Sequence, residues 1–109
     1  MERLRDKKIR KLLILHGKKV VSRFMTLYFM ENDTGVARYA VYGSKRLGGA
    51  VQRNRVKRLF REILNLVKLR LRGCDLIIIP RTGVAGMQSD QVRPDVIREL
   101  LNNKILLAG

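Results

Sequence analysis

The sequence predicts an α+β domain in which helices pack on a β-sheet, and three observations lead to this fold class. Apolar residues recur at helical spacing in three segments of the chain. Extended segments rich in β-branched and aromatic residues lie between those helices. The chain has 109 residues, of which 46% are hydrophobic, and this is enough for one buried core. We therefore expect a single domain over residues 1–109.

The first half of the chain predicts one helix and two strands. Residues 4–16 read as a helix with its apolar residues on one face, and residues 20–30 read as a strand. A turn follows at residues 31–35, since Asn, Asp and Gly favour reversal of the chain. The next strand, at residues 36–43, is expected to pair back on the first as a hairpin.

The second half predicts two helices around one buried strand. The longest helix covers residues 50–72, and the strand at residues 75–79 is a continuous apolar run. A loop at residues 81–90 precedes a last helix that begins near Pro94, because proline is favourable in a first turn. The expected buried stripe of the long helix is Val56, Leu59, Phe60, Ile63 and Val67.

Positive charge dominates the composition and is unevenly distributed. The chain carries 24 Lys and Arg against 9 Asp and Glu, a formal net charge of +15. Residues 1–23 hold nine basic and two acidic residues, and residues 38–72 hold eleven basic residues and one acid. Such clustering favours a polyanionic partner, which is RNA, DNA or an acidic membrane surface, over a basic face that is only solvated.

The cysteine count and the N-terminal segment indicate the compartment. Cys74 is the only cysteine, so an internal disulfide is excluded and the reducing cytoplasm is expected. The apolar run at residues 12–15 is too short for a signal peptide or a spanning helix.

The long helix carries a second stripe beside its apolar one. Arg53, Lys57 and Arg61 fall at i, i+4 and i+8, and Arg58 widens this cationic row. The row starts near the N-terminal end of the helix, where free backbone N–H groups already attract anions. A phosphate would complete such a site. The alternative is a solvated amphipathic helix.

The run that enters this helix resembles a known family signature. Ser-Lys-x-x-Gly-x-Ala-Val-x-Arg-Asn-Arg-x-Lys-Arg begins at Ser44 and is similar to the signature of the bacterial ribonuclease P protein subunit. The resemblance extends over nearly the whole chain, including Arg3-Leu4, His16-Gly17, Arg23 and Tyr28.

The resemblance implies both a fold and a function. The fold would be a mixed four-stranded sheet like the second domain of ribosomal protein S5, with a left-handed βαβ crossover. In that family a catalytic RNA removes the 5′ leader of precursor tRNA, and the protein binds the leader and the RNA. Mg²⁺ would be held mainly by the RNA subunit, and neither DNA nor a membrane would be a partner.

The resemblance also implies two groups of site residues. The leader would lie in a cleft beside Tyr28 and Phe24, which share the less apolar side of the predicted strand. Arg10 and Ile14 of the first helix would line the same cleft, at positions where the family has phenylalanines. Gly43 stands where the family often has an apolar residue, and a bulge is the available explanation. The residues assigned to the catalytic RNA are Lys45, Arg46, Arg53, Asn54, Arg55, Lys57, Arg58 and Arg61.

Catalysis by the protein itself is not expected. His16 is the only histidine, the acids are scattered, and no nucleophile with its base or metal-ligand set is apparent. Cys74 is expected to be a small core residue. The alternative functions are a ribosomal or other structural RNA-binding protein of the same fold, and a DNA-binding protein, which the lack of a helix-turn-helix disfavours.

Overall fold

The computed structural model describes residues 1–107, which form three helices around one five-stranded sheet. The helices are α1, α2 and α3, at Lys7–His16, Ala50–Leu66 and Ser89–Asn102. The strands β1 to β5 are Glu2–Arg3, Lys18–Val21, Met25–Glu31, Arg38–Val41 and Cys74–Pro80. The predicted α+β class is confirmed, but the sheet has five strands instead of four.

The strand order is β1-β4-β5-β3-β2, which contradicts the predicted hairpin between the segments at 20–30 and 36–43. β5 lies between β3 and β4, antiparallel to β3 and parallel to β4. The reason is burial, because Leu76, Ile77 and Ile78 are fully buried on alternating faces. A strand that is apolar on both faces is most stable in the middle of a sheet.

The segment at residues 20–30 is two strands and not one. β2 and β3 form the true hairpin, with Val21 paired to Thr26. The chain reverses at Ser22, whose backbone N–H donates to the carbonyl of Met25 over 2.9 Å. The Ser22 hydroxyl also donates to the buried carboxylate of Asp95, at 3.0 Å. That partner is distant in sequence, so local patterning did not reveal the turn.

The helix boundaries also differ from those predicted. α1 begins after Asp6, whose Oδ1 accepts the N–H groups of Lys8 and Ile9 as an N-cap. α2 ends at Leu66, and a short 3-10 turn follows it. α3 begins at residue 89, which leaves Pro94 inside the helix and not at its start.

The sheet separates two apolar layers of unequal size. The larger layer lies between the sheet and helices α2 and α3, and it contains Leu27, Phe60, Ile63, Leu76 and Leu100 among many others. The smaller layer lies under α1 and contains the buried residues Leu4, Leu13, Ala40 and Ile77.

The connection from β4 through α2 to the parallel strand β5 is a βαβ unit. Its left-handed sense stays a prediction. The unit fixes the orientation of α2, because its apolar stripe must face the larger layer.

Candidate nucleic-acid interface

α2 holds its cationic row at the rim of the larger apolar layer. Val56, Leu59, Phe60 and Ile63 are buried as predicted and anchor the helix on the sheet. The row of Arg53, Lys57 and Arg61 flanks this stripe and is half-buried, while Asn54 and Arg58 are exposed. Packing of the core therefore orients the row, as the sequence indicated.

Gly43, directly after β4, allows the row to approach the sheet. A Cβ at this position would lie 3.1 Å from Cδ of Lys57 and 3.3 Å from Cβ of Arg53. Close packing of α2 on the end of β4, and not a bulge, therefore accounts for the glycine.

Arg55 differs from the other basic residues of α2. Its Nη2 donates to the carbonyl of Met87 over 2.7 Å, so the side chain crosses to the segment before α3. The Arg-Asn-Arg run is therefore divided, because Arg55 is half-buried and hydrogen-bonded to the protein backbone, while Asn54 is exposed to solvent.

Lys45 and Arg46 lie in a 3-10 turn between β4 and α2. Both are exposed, and the buried side chain of Leu47 anchors the turn in the larger apolar layer. Arg46 lines a depression together with Thr26 of β3 and Arg81 after β5. The structure thus places Arg46 at the end of the sheet and not on the α2 row.

The open part of the sheet face beside α1 is the candidate cleft. Tyr28 on β3, Ile79 on β5 and Tyr42 after β4 pack against the smaller apolar layer but stay half-exposed. The Lys19 ammonium lies 5.8 Å from the centroid of the Tyr28 ring. This face therefore offers aromatic surface next to positive charge, which is the combination that single-stranded nucleic acids bind.

Arg10 of α1 faces this cleft through Tyr42. Its Nε donates to the carbonyl of Leu4 over 2.8 Å, and its Cζ lies 5.7 Å from the Tyr42 ring centroid. Ile14, one turn further along α1, is 39% exposed. Tyr42 was missed at the sequence level, although it continues the alternation of Arg38 and Ala40 and so shares their face.

The prediction that Phe24 lines the cleft is wrong. Phe24 is only 6% exposed and belongs to the larger apolar layer, on the α2 side of the sheet. The error follows from treating residues 20–30 as one strand, because the reversal at Ser22 breaks the alternation that placed Phe24 beside Tyr28.

Ion pairs within residues 1–107 lie away from the α2 row. Asp75 is buried and accepts from Arg38 at both carboxylate oxygens, at 2.7 and 2.9 Å. This hydrogen-bonded pair raises the pKa of the Arg38 guanidinium. The other pairs join Arg72 to Glu31 and Arg98 to Asp95 and Glu99. Within that part of the chain, the cations of the row have no acidic partner.

Few groups within residues 1–107 suggest metal binding or catalysis. No cluster of three or more His, Cys, Asp or Glu residues within residues 1–107 is arranged to hold a metal ion. Cys74 is a fully buried core residue, as predicted, and burial raises the pKa of its thiol to about 11. His16 is exposed at the end of α1. None of the helices in the described range is long and apolar enough to cross a membrane.

The fold and the charge distribution together define a class of protein. An α+β domain with a fixed row of cations that lack acidic partners within residues 1–107 is suited to bind a nucleic-acid backbone. The class is therefore a nucleic-acid-binding protein.

Comparison with known proteins identifies the family. The family model Ribonuclease P matches residues 1–104. The chain therefore belongs to the ribonuclease P protein family. It is the accessory protein subunit of an endoribonuclease, and its partner is the ribonuclease P RNA. Its function is that of the bacterial protein component in tRNA 5′ maturation. The alternative, a ribosomal or other structural RNA-binding protein of the same fold, is not favoured.

Individual relatives agree over most of the chain. The ribonuclease P protein component of Syntrophus aciditrophicus is 35% identical over 100 residues, which cover 91% of this chain and 81% of the relative. The RNase P protein of Staphylococcus aureus superposes with a TM-score of 0.88 at 26% identity, covering 96% of this chain and 97% of that one. The Thermotoga maritima protein gives 0.85 at 25% identity, with both chains fully covered.

Proposed function

We propose that α2 binds the catalytic RNA and that the cleft beside α1 holds the single-stranded leader of precursor tRNA. The observation that carries the proposal is the separation of charge: acidic residues pair with Arg38, Arg72 and Arg98, while the α2 row has no acidic partner within residues 1–107. Those cations are held in fixed positions by the core, so phosphates can bind them without reordering the helix.

The leader is the ligand that best fits the cleft. Tyr28 and Tyr42 are half-exposed on one face of the sheet, with Lys19 and Arg10 against their rings. Single-stranded RNA is bound by stacking of bases on such rings and by cations along its backbone. Base-paired mature tRNA offers no free bases of this kind at its 5′ end.

The protein contributes charge and position, while the hydrolytic chemistry belongs to the RNA. Mg²⁺ held mainly by the RNA subunit would activate the attacking water. The cations of α2 reduce the repulsion between RNA segments that high Mg²⁺ would otherwise screen. This role requires no catalytic side chain, and a protein that performs it would act in the cytoplasm with the RNAs that it binds.

Reconstitution with a bacterial catalytic RNA tests the proposal. The protein should increase cleavage of precursor tRNA at low Mg²⁺ and should cleave nothing when the RNA is omitted. Robust cleavage by the RNA-free protein would contradict it, and so would a holoenzyme no more active at low Mg²⁺ than the RNA alone.

A charge-matched pair of variants tests the α2 surface. Arg53→Ala with Arg58→Ala removes two cations from the N-terminal half of the helix. Lys68→Ala with Arg70→Ala removes two exposed cations from the 3-10 turn after its C-terminal end. We expect the first pair to weaken binding of the catalytic RNA and to lower its salt dependence by about one unit or less for each phosphate that is no longer bound. Equal effects of the two pairs would show that only net charge matters.

A further inference from the structure

A second basic site lies at the edge of the sheet, between α1 and α2. It is a basin of about 380 Å³ bounded by the segment after β1, the end of β4 and the middle of α2. No acidic residue of the described chain is among the residues that line it. Its five cations and its aromatic wall are Arg3, Arg5, Arg10, Lys57, Arg61 and Tyr42.

The two arginines at the start of the chain are positioned by backbone pairing. The Glu2 N–H donates to the carbonyl of Ala37 over 2.8 Å, and the Leu4 N–H donates to that of Tyr39 over 2.6 Å. Leu4 is 1% exposed and anchors the segment in the smaller apolar layer. β1, although only two residues long, therefore holds Arg3 and Arg5 at the basin.

The cations that α1 and α2 contribute to the basin are also held in position. Arg10 is fixed by its hydrogen bond to the Leu4 carbonyl, and Lys57 packs against Gly43. None of the five cations forms an ion pair within residues 1–107. Five like charges around one basin repel each other, and an anion bound among them removes that repulsion.

The basin is continuous with the cleft through Tyr42. The ring of Tyr42 lies on the cleft face of the sheet, packed against the smaller apolar layer, and it also borders the basin. An RNA strand that crosses the cleft thus meets the five cations as it passes the end of β4, beyond the residues that pair with β1. We propose that the basin binds phosphates of the leader strand where it leaves the cleft past Tyr42. Lys57 and Arg61, which also belong to the α2 row, then bind the leader, while Arg53 and Arg58 do not line the basin and bind the catalytic RNA.

This proposal rests on the proposed function for the identity of the strand, and it gives the leader a direction. The opposite end of the cleft, at β2, carries Lys18 and Lys19. Lys18 lines a pocket of about 500 Å³ there, but this pocket also contains the carboxylate of Glu31, which pairs with Arg72, so its lining is not purely cationic. Departure past β2 is therefore the competing path. The alternative ligand of the basin is a phosphate of the catalytic RNA, which would bind the same cations.

Two charge-matched variants test the basin. Arg3→Gln with Arg5→Gln removes two of its cations. Lys7→Gln with Lys11→Gln removes two exposed cations of α1 that do not line it. Arg5→Gln alone is a second test that leaves the paired residues of β1 unchanged. Thermal melts establish that each variant is folded.

Binding is measured in three ways. The free protein is titrated with a fluorescent single-stranded oligoribonucleotide, which requires no catalytic RNA. The holoenzyme is titrated with precursor and with mature tRNA. The protein is titrated with the catalytic RNA alone. If the proposed function is wrong, the titrations of the holoenzyme and of the catalytic RNA will show no specific binding. The titration of the free protein with the oligoribonucleotide would still test the basin.

We expect the basin variant to lose about tenfold in affinity for the oligoribonucleotide and for precursor tRNA, with a lower salt slope. Mature tRNA and the catalytic RNA should bind it as they bind the α1 control. Equal losses in the two variants would overturn the proposal, because net charge alone would explain them. A loss confined to the catalytic RNA would also overturn it and would assign the basin to that RNA.

Discussion

The two faces of the sheet are covered to different extents. On one face, α2 and α3 enclose a layer in which Phe60, Ile63 and Leu100 are fully buried. On the other face, the ten-residue helix α1 covers only a small cluster around Leu13 and Ile77. Tyr28 and Tyr42, on that second face, stay half-exposed.

The difference shows how so small a domain combines stability with a binding surface. The closed face contributes most of the buried apolar area, which stabilises the fold. The open face keeps aromatic rings at the surface, where a ligand can cover them. Substitutions on the closed face should therefore lower stability, while substitutions on the open face should weaken RNA binding.

The largest effect is expected on the closed face, from Phe60→Ala. Loss of this fully buried ring should reduce the free energy of unfolding by about 3–5 kcal/mol. Ile14→Ala, on the partly exposed side of α1, should change it by about 0.5 kcal/mol or less. Urea denaturation of both variants measures the difference, and equal losses would mean that the faces are not distinct in stability.

Cys74, on the closed face, should make the free energy of unfolding depend on pH. Burial raises the pKa of its thiol from an ordinary value of 9.0 to about 11. The unfolded state therefore loses this proton first, and stability must fall as the pH rises from about 9 towards 11. The fall should be on the order of 2 kcal/mol.

Cys74→Ala provides the control for this pH dependence. The variant should lack that part of the fall, so the difference between the two unfolding curves isolates the thiol. A difference that stays constant between pH 8 and 11 would contradict burial of an ionisable thiol at this position.

Tyr28 and Phe29, which are neighbours on β3, compare the two faces with aromatic residues of similar size. Tyr28→Ala, on the open face, should reduce precursor tRNA affinity by about 1–3 kcal/mol, the usual value for stacking on a base. Mature tRNA should bind unchanged, and Tyr28→Phe should retain most of the affinity. Phe29→Ala, in the larger apolar layer, should lower the melting temperature without changing the precursor-to-mature ratio. The reverse pattern would place the cleft on the other face.

Arg53 and Arg55 extend the comparison to α2 and give the smallest expected effect. Arg55→Met removes the hydrogen bond to the Met87 carbonyl and should cost about 0.5–1.5 kcal/mol of stability. Arg53→Met should leave stability nearly unchanged and weaken binding of the catalytic RNA. Urea denaturation and RNA titration of both variants separate the roles, and identical behaviour would refute the division of the Arg-Asn-Arg run.

Local patterning predicted most of the elements but not their arrangement. The apolar stripe of α2 and the buried strand β5 follow from periodicity, because side chains repeat with the period of the element. The place of β5 between β3 and β4 depends on which strand must be buried on both faces. β1 has only two residues, too few to show any period.

The candidate site divides in the same way. The cations of α2 were visible in the sequence, since their spacing places them beside the apolar stripe. Arg3 and Arg5 were visible in the sequence as part of a basic block, and Arg3 also as part of the resemblance, but their position depends on pairing with residues 37–39. Phe24 was misplaced, because the reversal at Ser22 is stabilised by Asp95, far along the chain.

The sequence by itself determined the α+β class, the basic character and the family signature of this protein. These properties depend on composition, on period and on the order of neighbouring residues. Only the tertiary structure decided which strand is central, which aromatic residues stay exposed and which cations meet at the basin. Those outcomes depend on burial and on contacts between residues distant in sequence, and local spacing carries no information about such contacts.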